Sequence, residues 1–381
     1  MNKKRLLFVF GTRPEFIKMA PLIHEAKSRS HFDVITCFTG QHKEMVHNLL
    51  EDFDLTIDID LKLMTENQSL GDFSGRMFQR FGKIVDSANP DLVLVHGDTI
   101  SAALAAMFSF YSKFRVVHVE AGLRTGDLNA PFPEEFNRRI IALSSSIHLA
   151  PTNLNRNNLV NEGISPEDIV VTGNTGVDAQ LFIIQKLSVS NEYLEEKKRI
   201  LSTANKDFSI NSKYVLITAH RRESFGKPIL SICAGISELS KAFPNIGFVY
   251  PVHLNPNIWD PVNKSLSDIP NVFLMPPIDY STFMFLLKEC FCVLSDSGGI
   301  QEEAPTFGKK VFVMRDVTER IEALEKGYAS LVGTDSSKIY DEVSKWLKMP
   351  ANKIKLDGSN PFGNGMASDY AMNFIEEKLE V

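Results

Sequence analysis

Short, unbroken apolar runs, each followed by a longer amphipathic stretch, recur along the whole of this chain. In the first half the runs fall at 6–10, 34–39, 92–95, 116–119, 147–150 and 169–172. The stretches with helical spacing fall at 14–28, 43–52, 70–87, 100–111, 134–146 and 153–162. The second half keeps the rhythm, with runs at 214–218, 247–250, 272–274, 292–295, 310–313 and 330–332. Its helical stretches are 229–241, 255–266, 281–289, 299–307, 320–326 and 336–348. A strand that is apolar throughout, rather than at alternate positions, is buried on both faces. Such strands belong in a parallel sheet with helices on either side. The expected class is α/β, with doubly wound parallel sheets.

Length sets the number of sheets. One core stops growing near roughly 250–300 residues, and this chain has 381. We expect two domains, 1–175 and 176–365, hinged close to 173–178. The polar segment 188–212 reads as a surface connection. Pro361-Phe362-Gly363-Asn364-Gly365 breaks the pattern before a last helix at 368–379, within a terminal segment 366–381. The apolar share of 44% and charged share of 23% suit a globular chain, and a net charge of −6 offers no strong pull toward nucleic acid or an anionic membrane. The basic start at Met1–Arg5 precedes an apolar run of only five residues, too short for a signal core, and no run reaches membrane-spanning length. Cys37, Cys233, Cys290 and Cys292 make no CxxC pair and no metal-ligand spacing, so they read as small core residues, with Cys290 and Cys292 sharing one face of a strand. A cytoplasmic protein without a bound metal is expected.

Ligands of doubly wound folds bind outside the carboxyl ends of the strands. The chemistry-bearing residues cluster there. After the first run comes Gly11-Thr12-Arg13-Pro14-Glu15, with Lys18 one turn further. No GxGxxG is present, so a dinucleotide fingerprint is not supported. Arg13 and Lys18 lie near a helix N-terminus, which already favours an anion. Asp98 and Glu120 follow neighbouring runs, and Glu134 opens a helix. Three carboxylates brought together are costly unless they move protons. In the second half, His220 and Arg221 follow one run and His253 another. The stretch Ser295-Asp296-Ser297-Gly298-Gly299 ends a run and starts a helix, with Glu303 about one turn in and Arg315 and Arg320 beyond. Two glycines that admit close backbone approach, at a helix N-terminus beside cations, make a pyrophosphate site.

Together these stretches resemble the non-hydrolysing UDP-N-acetylglucosamine 2-epimerases. The matching runs are FGTRPEFIKMAPLI, HGDT, HVEAGLRTGD, PFPEEFNRR, VTGNTGVDA, AHRRESFG, YPVHLNPN, SDSGGIQEEAP and RDVTER, in family order and across nearly the whole chain. The resemblance implies two Rossmann-like domains of GT-B type, with the active site in the interdomain cleft and the last helix packed back on the first domain. It implies UDP held mainly by the second domain: Ser297, Gly298 and Gly299 at the diphosphate, Glu303 at the ribose, Phe283 at the uracil, and Arg320 and His220 completing the contacts. Arg13 and Lys18 would reach in from the first domain. Asp98, Glu120 and Glu134 match the family's catalytic carboxylates, and we group His220 with them.

The chemistry explains the set. The proton on carbon 2 is not beside a carbonyl, so inversion needs transient oxidation or elimination. Without a nicotinamide fingerprint, elimination of UDP to a 2-acetamidoglucal and re-addition is the expected route, with no cofactor. Which carboxylate is base and which is acid stays open. Some members of the family are activated by UDP-N-acetylglucosamine at a second site. Gln41, Glu135, Arg221 and His253 match part of that site, whereas Glu44 and Asn67 depart from it. The resemblance also implies a homodimer with UDP-N-acetylglucosamine and UDP-N-acetylmannosamine as its partners. Four alternatives stand beside this reading: an epimerase of a modified sugar such as a 2,3-diacetamido uronate, a hydrolysing epimerase, a glycosyltransferase of the same fold, and a non-catalytic nucleotide-sugar sensor, against which the three carboxylates argue.

Overall fold

The computed structural model describes residues 3–40, 49–65, 69–221, 224–350, 356 and 358–380. The chain divides into two compact units, Met1–Phe182 with Phe362–Val381, and Ile183–Pro361.

The first unit runs β1 (Lys4–Phe10), α1 (Arg13–Ser28), β2 (Phe32–Phe38), β3 (Ile59–Asp60), α2 (Leu70–Ala88), β4 (Leu92–His96), α3 (Ile100–Tyr111), β5 (Arg115–Val119), α4 (Glu134–Ser144), β6 (Ile147–Ala150), α5 (Asn153–Asn161) and β7 (Ile169–Val171). Its 7-stranded sheet has the order β3-β2-β1-β4-β5-β6-β7, and every pairing is parallel. Leu6 to Phe10 and Leu92 to Val95 are wholly buried, as expected of strands covered on both faces. Each such Leu, Val or Phe contributes about 1.5–3 kcal/mol of burial free energy. Helix α6 (Thr175–Val189) follows β7, and the division between the units falls within it.

The second unit continues with α7 (Asn191–Ala204), β8 (Tyr214–Thr218), α8 (Lys227–Ala242), β9 (Gly247–Pro251), α9 (Pro256–Leu266), β10 (Val272–Met275), α10 (Tyr280–Glu289), β11 (Cys292–Ser295), α11 (Gly298–Glu303), β12 (Lys310–Val313), α12 (Ile321–Glu325), β13 (Ala329–Leu331) and α13 (Ser336–Leu347). Its 6-stranded sheet has the order β10-β9-β8-β11-β12-β13, again all parallel. The chain then returns to the first unit and ends in α14 (Ala367–Leu379), whose Glu376 meets Arg29 at 2.8 Å, just beyond α1. Asp178 accepts the N–H groups of Ala367 and Ser368 at 3.3 and 2.7 Å, holding the first turn of this helix.

Two sequence expectations need correction. The segment 188–212 is not simply a connection, because α7 occupies Asn191–Ala204, capped by Ser190 and burying Leu201. Its Lys and Glu residues are good helix formers that only look like a linker by composition. Cys290 and Cys292 do not share a strand face. The Cys290 N–H still bonds Leu286 O in the last turn of α10, and β11 starts at Cys292. The two-residue strand β3 is too short to leave an apolar run. Of the helical stretch expected at 43–52, residues 49–52 are helical and 43–48 lie outside the described residues. All four cysteines are free and buried. Among the described residues no helix is long and apolar enough to cross a membrane.

Candidate active site

In each unit the strand order reverses once, between β1 and β4 in the first and between β8 and β11 in the second. Such a reversal opens a crevice at the carboxyl ends of the two strands. The residues expected to carry chemistry follow these strands or their neighbours.

In the first unit, β1 turns into α1 at Gly11. A Cβ there would stand 2.3 Å from Thr39 Oγ1 and 2.4 Å from Ser101 Oγ, so only glycine fits. Thr12 caps α1, and Glu15 closes the capping box. Glu15 also does more. Its Oε2 accepts the N–H groups of Gly11 and Thr12 at 3.0 and 2.8 Å, and its Oε1 accepts the Thr99 hydroxyl at 2.7 Å. Thr99 in turn caps α3, directly after Asp98. One buried carboxyl therefore ties the turn that carries Arg13 to the turn that carries Asp98. Burial pushes Glu15 up to about 7, against the pull of its hydrogen bonds from Thr99, Thr12 and Gly11. Arg13 itself is half-buried in the first turn of α1.

Asp98 is gripped by Arg138 on α4, whose Nε and Nη2 donate to Oδ2 at 3.0 and 2.7 Å. The Asn137 amide donates to the Asp98 carbonyl at 2.8 Å. Arg138 is 7% exposed and the Asp98 side chain 28%, so the arginine is packed away while the carboxylate stays reachable by a ligand. Burial raises the Asp98 carboxyl above its ordinary range. Arg138 opposes the rise, and the nearby Glu120 and Glu134 add to it.

Glu120 leaves β5 with φ 65, in the left-handed region that non-glycine residues seldom occupy. Such strain persists where the surroundings enforce it, and it concentrates at functional sites. Its Oε1 accepts from Lys18 Nζ and from Asn174 Nδ2, the latter at 2.8 Å, and its Oε2 lies 3.6 Å from His96 Nε2. Glu134 opens α4, where a carboxylate suits the helix dipole. Its Oε2 is buried with no hydrogen-bond partner among the described residues. Buried polar atoms are nearly always satisfied, by protein groups or by ordered water. Asp98, Glu120, Glu134 and Lys18 thus form one electrostatically coupled group within the first unit. Glu135, beside them, is wholly buried and accepts from Thr125 N at 3.0 Å, Gly126 N at 3.4 Å, Arg138 Nη1 at 3.2 Å and Arg139 Nε at 3.4 Å.

In the second unit, Asp296 organises the loop after β8. It is wholly buried, and its Oδ2 accepts the N–H groups of His220 and Arg221 at 2.8 and 2.9 Å and the Ser224 hydroxyl at 3.2 Å. Its Oδ1 stands 3.3 Å from His220 Nδ1. Desolvation lowers His220 below its ordinary value, with Asp296 pulling the other way. The His220 ring stacks on His253 at 6.2 Å. Ser297 precedes α11 with no side-chain capping bond, and Gly298 and Gly299 form its first turn. The Arg320 guanidinium lies against Gly298, where a Cβ would stand 2.9 Å from its Cζ. Glu302 and Glu319 fix that guanidinium at 2.9 and 3.2 Å. Burial acts to raise Glu319, but Arg320 and Arg315 help hold it below the usual carboxylate range. Glu303 is reached by the Tyr280 hydroxyl at 3.5 Å, and Phe283 is half-buried in the first turn of α10.

Gln41, Glu44 and Asn67 lie outside the described residues. Sequence reasoning does not single out Glu15, His96, Arg138, Asn174, Asp296 or Glu302. Arg138 does leave a signal, since it lies one helical turn after Glu134. Asp296 adjoins the Gly-Gly turn but looks like any turn aspartate until its partners 75 and 76 residues away are known. Among the described residues no group of three or more His, Cys, Asp or Glu side chains is arranged to hold a metal ion.

Comparison with known proteins agrees with this architecture. The family described as UDP-N-acetylglucosamine 2-epimerase matches residues 24–376. The UDP-N-acetylglucosamine 2-epimerase of Campylobacter jejuni is 41% identical over 98% of this chain and 97% of its own length. That of Salmonella typhimurium is 43% identical over 95% of this chain and 96% of its own length. The crystal structure of UDP-GlcNAc 2-epimerase from Neisseria meningitidis bound to UDP-GlcNAc superposes with a TM-score of 0.91 at 41% identity, covering 98% of this chain and 100% of that one. The fold is α/β and GT-B-like, and the chain belongs to the UDP-N-acetylglucosamine 2-epimerase family.

Proposed function

We propose that this protein interconverts UDP-N-acetylglucosamine and UDP-N-acetylmannosamine by inverting carbon 2 without a redox cofactor. The observation that carries the reading is the coupled group of Asp98, Glu120 and Glu134, with Arg138 donating to Asp98 at 2.7 Å and Lys18 to Glu120. One carboxylate takes the proton from carbon 2 as the bond from carbon 1 to the β-phosphate oxygen breaks, giving UDP and 2-acetamidoglucal. A second carboxylate returns a proton to the opposite face of carbon 2, and the phosphate oxygen re-forms the bond at carbon 1. Acid–base groups poised at the reacting carbon accelerate both steps. Fixed cations and N–H groups stabilise UDP as it leaves.

In this reading Ser297, Gly298, Gly299 and Arg320 take the diphosphate, Glu303 the ribose and Phe283 the uracil. His220 supports the leaving UDP, and Arg13 and Lys18 add positive charge. Gln41, Glu135, Arg221 and His253 are the proposed second-site set. Glu135 would act there only through the 125–126 turn whose N–H groups it holds. A cytoplasmic homodimer completes the proposal. Phe110, Tyr111 and Leu143, which are 56%, 69% and 71% exposed on α3 and α4 of the first unit, are candidates for the covered face. Sedimentation then gives twice the 42.7 kDa of one chain.

The test is direct. Purified protein given UDP-N-acetylglucosamine, with no nicotinamide added, should yield a mixture of the two UDP-sugars by proton NMR. Stoichiometric release of UDP and free N-acetylmannosamine would mean hydrolysis instead. No change until an acceptor is supplied would mean a transferase.

A further inference from the structure

We propose that Asn174 is a positioning residue for proton transfer at Glu120, because its amide is oriented to donate to one oxygen of that carboxylate. The inference rests on the epimerase reading above. Asn174 follows β7 in the turn before α6, and it is only 3% exposed, so it works through Glu120 rather than on the substrate.

An amide has one accepting end and one donating end. The Asn174 Oδ1 accepts the Gly176 N–H at 2.8 Å, which fixes the orientation of the group. Its Nδ2 therefore faces Glu120 Oε1, at 2.8 Å. Lys18 Nζ donates to the same oxygen. An oxygen that accepts from two donors is a poor place for a proton. A proton that Glu120 gains or gives during turnover is thereby disfavoured at Oε1, while Oε2 lies on the side of His96 and Gly97. His96 Nε2 is 3.6 Å from Oε2, as is the position a Cβ would take on Gly97.

The clamp is itself anchored. The Asn174 N–H donates to Phe362 O at 2.6 Å, where the chain re-enters the first unit. Gly173, at φ 90, lets this crossing close: a Cβ there would stand 3.2 Å from both Gly363 Cα and Phe362 O. Gly176 matters for a similar reason. A Cβ on it would stand 3.0 Å from Asn174 Oδ1 and 3.3 Å from Lys18 Cε, so a side chain would press on both donors to Glu120.

Asparagine and aspartate are nearly the same size and both close this kind of turn. They differ at the Glu120 end, where Asn174→Asp presents an acceptor to an acceptor. Asn174→Ser shortens the side chain by one bond, drawing its hydroxyl back from Glu120, without adding charge. The assay is exchange of the carbon 2 proton of UDP-N-acetylglucosamine in deuterated water, with circular dichroism to follow folding. The expected result for a folded Asn174→Asp or Asn174→Ser protein is a kcat lowered about ten- to a hundredfold, the range for a hydrogen bond to a charged group. KM stays within about twofold, since ground-state binding is untouched. A wild-type kcat in either folded variant overturns the proposal. So does a loss that appears in KM and UDP affinity instead, or a failure of both variants to fold, each of which makes Asn174 structural only. No exchange by the wild type would remove the epimerase reading, and this proposal with it, whereas wild-type rates in the variants overturn this proposal alone.

Discussion

Arg138 joins two carboxylates of different kinds: it donates to Asp98 Oδ2 through Nε and Nη2 at 3.0 and 2.7 Å, and to the wholly buried Glu135 Oε2 through Nη1 at 3.2 Å. Glu135 fixes the guanidinium from behind, and the guanidinium fixes Asp98 in front. Lysine keeps the charge but not the fork. Arg138→Lys should lower kcat by about ten- to a hundredfold. The limb of the pH–rate profile governed by Asp98 should move to higher pH, because the cation that opposes the burial-driven rise is weakened. An unmoved profile with unchanged kcat would show that the fork is not needed.

Removing a carboxylate should separate binding from chemistry. Asp98→Asn and Glu134→Gln are expected to keep UDP affinity, because the proposed UDP contacts lie mainly in the second unit. Carbon 2 exchange should fall by about 10²–10⁴-fold, the usual worth of a general acid or base. Calorimetry with UDP and exchange followed by NMR check the two halves independently. Wild-type exchange would remove that residue from the mechanism.

Glu15 predicts a pH dependence of stability. Its carboxyl is raised from an ordinary 4.5 to about 7. Between those values the folded chain keeps a proton that the unfolded chain has released. Its contribution is therefore full below about 4.5, falls as pH rises, and is gone above about 7. Glu15→Gln retains an acceptor for Gly11 and Thr12 but cannot titrate. Compared with that variant, the wild type should lose thermal stability between about pH 5 and 7. Parallel curves over this interval would mean that Glu15 does not hold its proton.

Gly298→Ala tests the proposed diphosphate site. The added methyl would stand 2.9 Å from Arg320 Cζ, and Glu302 and Glu319 hold the guanidinium against moving away. UDP affinity should weaken by about tenfold, near 1.4 kcal/mol. The stability of the second unit should change little, since the clash is with one side chain. Unchanged affinity would place the diphosphate elsewhere.

Much of the fold is legible in the sequence itself, for identifiable reasons. Strands buried on both faces are apolar at every position, so β4, β8 and β11 stand out clearly. Thr99 and Asp279 are ordinary helix caps, and α3 and α10 start close to where the periodicity places them. Helix α7 is hidden because a charged surface helix and a charged linker share a composition. The supporting partners are hidden for a deeper reason. Glu15 meets Thr99 across 84 residues, Asn174 meets Glu120 across 54, and His220 N meets Asp296 across 76. No local pattern encodes such distances. Motifs point to the candidate groups, and only the fold reveals what holds them.

The most direct test of the central claim is the fate of the proton on carbon 2. UDP-N-acetylglucosamine is incubated with the protein in deuterated water and both UDP-sugars are followed by NMR. Elimination and re-addition predict deuterium at carbon 2 of both epimers, with UDP still attached at carbon 1. Epimerised product that keeps its original hydrogen at carbon 2 would contradict the account.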